Sequence, residues 1–131
     1  MISADRDAAS WDLAVTTGLI RIAAGALLLR RSGRLATLAG ARADDRLMRA
    51  VVAGFGARDL ALGVSALAAT RPGRDVRGQL RLQAAADTVD AVIVAAAVRS
   101  HRLPRGRGIV GVLIAATSAA GHLRLSGALR R

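Results

Sequence analysis

Long apolar runs alternate along this chain with short Arg-rich ones. Apolar residues dominate 11–29, 47–70, 80–98 and 108–123. Each run approaches the ~20 residues that carry a helix across a hydrocarbon layer of ~30 Å. Stop and turn signals separate them: Ser32-Gly33 after the first, Pro72-Gly73 after the second and Pro104 after the third. Start signals precede two of them, Ser10 for the first and Asp44 or Asp45 for the second. The pattern predicts helices over about 11–30, 46–70, 79–99 and 107–124, with a short interfacial turn of helix within 34–43. The expected architecture is all-α, a single four-helix transmembrane bundle spanning 1–131.

Three of the four runs contain charge. Arg21 interrupts the first, Arg58 and Asp59 the second, and Asp87 and Asp90 the third. A soluble four-helix bundle is therefore the competing architecture. Two features decide against it. A helix on a soluble surface needs a polar face, yet 50–70 offers only Arg58, Asp59, Ser65 and Thr70, and 108–121 only Thr117 and Ser118. The interrupting charges also fall near the middle of their runs, a common depth that surface charges have no reason to share.

Composition sharpens this picture. Apolar residues make up 53% of the 131 positions but aromatic ones only 2%, so Ala and Gly must do much of the packing, as between closely approaching membrane helices. Every basic residue is Arg and every acidic one Asp. The net charge of +11 could suggest a nucleic-acid binder. The Arg residues, however, collect between apolar runs, and few aromatic side chains are present to stack on bases. Anionic lipid headgroups are the partner that basic loops beside apolar helices fit, and nucleic acid is not expected. With no Cys, disulfides and thiolate metal sites are excluded. The charged first residues and Arg21 argue against a cleavable signal peptide. Loops one and three carry 10 Arg and the terminal side 8, too even a split to fix an orientation by the positive-inside rule. Trp11 reads as an interface anchor.

The mid-run charges form the candidate site. Gly18, Arg21 and Gly25 share one face of the first helix, and Gly56, Asp59 and Gly63 one face of the second. The two glycine-flanked faces carry opposite charges, which predicts close packing of helices one and two with Arg21 paired to Asp59. On the third helix Gln79, Gln83, Asp87 and Asp90 form one polar stripe, which lipid could not satisfy and which must face inward. Arg58, turned about 100° from Asp59, is the partner expected for that stripe. Five unpaired charges at mid-depth would cost roughly 12–18 kcal/mol together, so pairing must be extensive. Two Arg face three Asp, which predicts that one of Asp87 and Asp90 holds a proton near neutral pH. His122 reads as a headgroup-level residue and His101 as a solvated one. No metal set, cofactor fingerprint or catalytic motif is present.

AGFGARDLALG (53–63), QAAADTVDAV (83–92) and LPRGRGIVGVL (103–113) together resemble small four-helix membrane proteins of high-GC bacteria that form a domain-of-unknown-function family. The likeness rests chiefly on GxRDxxLG (Gly56, Arg58, Asp59, Leu62, Gly63) and DxxD (Asp87, Asp90). It implies the fold and no activity. The expected function is that of a multi-pass cell-membrane protein with a structural or accessory role and no enzymatic activity or cofactor, leaving room for a homo-oligomer or a second membrane protein as partner. The alternative is a small proton-coupled transporter or permeation unit using Asp87 and Asp90. A membrane enzyme or redox accessory finds no supporting residue.

Overall fold

A computed structural model describes residues 2–71 and 73–128. They form four helices, α1 (Ile2–Leu38), α2 (Arg46–Ala68), α3 (Val76–Arg99) and α4 (Arg105–Ala128), and no strand.

The helix ends follow from identifiable backbone chemistry. Asp45, not Asp44, caps α2: its carboxylate accepts from the Met48 amide at 2.9 Å. Asp75 does the same for α3, accepting from Gly78 at 2.8 Å, so that helix starts earlier than the apolar run alone predicts. α1 begins at Ile2, so Ser10, expected at its start, lies inside it. The Ser32-Gly33 signal bends the chain where a stop was expected. Arg31 leaves helical geometry (φ −120°, ψ 18°), and helix resumes as far as Leu38, the behaviour of a kink beside a Ser/Gly pair.

α1 then ends at Gly40, whose φ of +99° lets the Ala41 amide reach back to the Ala36 carbonyl (3.0 Å) and the Gly40 amide to Thr37 (2.9 Å). This is a Schellman stop. α3 ends the same way with His101 in the left-handed position (φ 55°), Arg102 bonding to Ala97 at 2.9 Å and His101 to Val98 at 3.1 Å. His101 thus has a backbone role that its solvated appearance in the sequence concealed. The two turns meet at one end of the molecule, where Gly40 abuts Pro104 and Ala36, Ala41 and Met48 pack with Leu103.

The helices assemble as two antiparallel hairpins. In the first, the glycines of α1 and α2 lie opposite one another. A Cβ built on Gly25 would sit 2.6 Å from the Gly56 carbonyl oxygen, and one on Gly63 would sit 2.7 Å from that of Gly18. In the second hairpin Gly111 of α4 faces Val94 of α3. Between hairpins, α3 approaches α1 and α2 only sparsely, and α4 packs its backbone against no helix but α3 among the described residues.

The polarity of this arrangement is inverted. Arg21 is 8% exposed and Asp87 4%, whereas Ile20 is 63%, Val92 64% and Ile114 67% exposed. By length and composition α2 and α4 could each cross a membrane; Asp87 and Asp90 interrupt the apolar stretch of α3.

Replacing Gly25 or Gly56 with Leu should destabilise the protein by about 1–3 kcal/mol, because the clash is with backbone and the hairpin must open. Gly54, with nothing within 4 Å of its missing Cβ, is the control: Gly54→Ala should be neutral or stabilise by up to about 1 kcal/mol. Unfolding midpoints of the three variants test this, and an equal loss at Gly54 would contradict it.

Candidate functional site

Each helix delivers part of one polar cluster to the space between the hairpins. The spacing on α1 and α2 brings Arg21 and Asp59 to the glycine-lined seam, at mid-length of their helices. The stripe on α3 presents Gln83, Asp87 and Asp90 to that seam, one or two turns apart.

Arg21 is the hub. Its Nε donates to Gln83 Oε1 (3.1 Å), Nη1 to Asp59 Oδ1 (2.8 Å), and Nη2 to both oxygens of Asp87 (2.7 and 2.8 Å). A single guanidinium therefore spans α1, α2 and α3. Arg58 forms a second node, donating from Nη2 to Asp59 Oδ1 at 2.8 Å, from Nη1 to the Ala86 carbonyl at 3.4 Å, and from Nη1 to Asp90. Its guanidinium carbon stands 5.6 Å from the centre of the Phe55 ring, within cation–π range. Arg58 Nε is buried and has no partner among the described residues. Gln79, at the end of the stripe, donates to Ser65 Oγ at 2.6 Å and ties α3 to α2.

Asp87 and Asp90 have different neighbours. Asp87 is held by Arg21 and Asp90 by Arg58, with Asp59 between the two guanidiniums. The expectation that one of the two holds a proton rested on two Arg facing three Asp, and that count stands: Arg21 and Arg58 are shared among Asp59, Asp87 and Asp90.

The sequence reading missed α4. Ser118 Oγ donates to Asp87 Oδ2 at 2.7 Å, and His122 Nδ1 lies 3.1 Å from the same oxygen. His122 is buried beside Asp87, a contact that its place near the end of the apolar run did not suggest. The physical reason is helix length: α4 continues to Ala128, so His122 sits within the helix, one turn beyond Ser118 on the same face. A carboxylate only accepts, so Nδ1 carries the hydrogen in this contact, which leaves Nε2 of a neutral ring as an acceptor. The i, i+4 spacing of Ser118 and His122 on an otherwise apolar helix was the available signal.

Most of these groups line a cavity of about 690 Å³ to which all four helices contribute, alongside apolar Ile20, Leu28 and Ile114. Because α4 does not close on α1, the cavity is open at the side. The arrangement can hold a small molecule against hydrogen-bonding groups, or pass a proton along them. No group of three His, Cys, Asp or Glu is placed to hold a metal ion among the described residues.

No family model, curated protein or solved structure matches this chain.

The network ranks its members. Arg21→Met should cost about 3–5 kcal/mol, since it takes the guanidinium from buried Asp87, one of the two from Asp59, and the link between the hairpins. Arg58→Met and His122→Ala should each cost about 1–3 kcal/mol: the first takes the guanidinium from Asp90, which is more exposed than Asp87, and leaves Asp59 with Arg21, and the second leaves Asp87 with Arg21. Unfolding midpoints measure all three, and an Arg21 variant no weaker than the other two would refute the ranking.

Proposed function

We propose that this chain is a small multi-pass protein of the cell membrane, that all four helices cross the bilayer, and that its role is structural or accessory. The inverted polarity supports this most directly. Water would reward exposing the Arg/Asp cluster and burying Ile20, Val92 and Ile114; the molecule does the reverse. In lipid the same arrangement is the favourable one, because hydrocarbon accepts apolar side chains and cannot satisfy polar ones.

Arg21, Asp87 and Asp90 lower the hydropathy of α1 and α3, but they are spent on one another across the bundle. What those helices turn outward includes Leu19, Ile20, Leu27, Val89 and Val92. The Arg-rich ends suit anionic headgroups. Within this reading the buried cluster sets which helices meet and at what register, a use of buried polar groups that has precedent where apolar packing alone is permissive. The uncovered side of α4 leaves a face for a second copy or another membrane protein. Washing membranes from expressing cells with alkaline carbonate tests the reading. The protein should stay in the pellet and come out only with detergent, whereas release by carbonate, or a monodisperse protein in detergent-free buffer, overturns it.

The side-opening cavity favours a second reading, a small proton-coupled transporter or permeation unit in which Asp87 and Asp90 carry the proton. Liposomes with a pH gradient and an internal pH dye separate the two. A structural role predicts no flux and destabilised Asp87→Asn and Asp90→Asn variants. A transport role predicts flux in the parent protein that both substitutions abolish without unfolding it.

A further inference from the structure

A second cavity, adjoining the polar one at Leu28, Phe55, Val94 and Gly111, extends to the end of the molecule where the α1–α2 and α3–α4 turns meet. It measures about 580 Å³, in the range of pockets that hold small molecules. Its walls are almost wholly apolar, built by Leu35, Met48, Val51, Ile93, Ala97 and Leu103. Two guanidiniums, Arg102 and Arg107, also line it; both residues are exposed, and neither has a carboxylate partner among the described residues. The one carboxylate in the lining, Asp45, is committed to the α2 N-terminus. The neighbouring Asp44 pairs with Arg42. The two turns and the helix ends they join carry ten Arg against these two Asp.

We propose that this cavity binds one acyl chain of an anionic phospholipid, with the lipid phosphate held between Arg102 and Arg107. The proposal rests on the membrane reading, which places these turns at the headgroup level. Charge complementarity chooses the occupant. An apolar slot explains affinity for any lipid tail, but two unpaired guanidiniums at its mouth select a headgroup with net negative charge, and Arg is the side chain best shaped to hold a phosphate. The backbone holds the mouth in place: Arg102 follows His101 in the α3 Schellman stop, and Arg107 lies in the first turn of α4 against Gly40. Both charges therefore come from the α3–α4 connection, which is already packed against Gly40 of the other turn, and little ordering of its backbone remains for the lipid to impose.

Native mass spectrometry of the detergent-purified protein tests this, using phosphatidylglycerol and phosphatidylcholine of equal chain length. Phosphatidylglycerol should bind about thirtyfold more tightly, the preference expected of two Arg at the surface. Arg102→Gln combined with Arg107→Gln should abolish the preference. Arg71→Gln combined with Arg74→Gln, at the opposite end, should leave it intact. Ala97→Leu, which fills the slot, should weaken both lipids while keeping the protein folded by circular dichroism. Glycerol phosphate, a headgroup without a tail, should not compete.

A preference that survives loss of Arg102 and Arg107, one that falls equally with Arg71 and Arg74, or full competition by glycerol phosphate each overturns the site. If Ala97→Leu unfolds, the two Arg pairs and the competitor still decide. Failure of the membrane reading is separately visible, because the protein would then need no detergent to be purified.

Discussion

Everything in this fold meets at the guanidinium of Arg21. It holds Asp59 within its own hairpin and Asp87 and Gln83 in the other. Backbone packing between the hairpins is thin, so this group does what an apolar seam does elsewhere. The geometry is well chosen for the task. A planar fork with several donors can serve carboxylates on two helices at once, which a lysine ammonium could not do with the same directionality. The cost of taking these charges out of water is offset only if the set is complete, which is why Gln83, Ser118 and His122 crowd around the same two residues.

The two kinds of contact divide the work. Within the first hairpin, Gly18, Gly25, Gly56 and Gly63 bring the backbones so close that side-chain identity hardly enters. Such packing is tight but could be satisfied by several partners. The Arg/Asp cluster then supplies the choice, since only one placement of α3 puts Asp87 on Arg21 and Asp90 on Arg58. α4 is bound by less: a glycine-lined contact with α3 and two polar side chains aimed at Asp87. Its loose seat creates the side opening of the polar cavity and leaves much of its surface apolar and uncovered.

The two cavities ask for different occupants for the same physical reason, the company kept by their charges. In the central one, the two Arg are already shared among three Asp, so a guest meets hydrogen-bonding groups but no free guanidinium. At the end of the bundle Arg102 and Arg107 are unmatched and sit over hydrocarbon-like walls, and a guest meets both a field and a slot.

By itself the sequence determined the helices and their polar faces, because both are local. The apolar runs, an Asp cap at 44 or 45, the glycine-flanked Arg21 and Asp59, and the stripe of Gln79, Gln83, Asp87 and Asp90 are all set by spacing within one helix. The pairing of the Arg21 and Asp59 faces could be proposed from their matching glycines and opposite charges, but tertiary structure alone decided how α3 and α4 completed the cluster. His122 looked like a headgroup-level residue because nothing near it in sequence shows that α4 runs on past it; its partner is 35 positions away. Which Arg holds Asp87 and which holds Asp90 was not legible because a sequence displays charges without their distances, and only the packed helices put Arg21 on the first and Arg58 on the second.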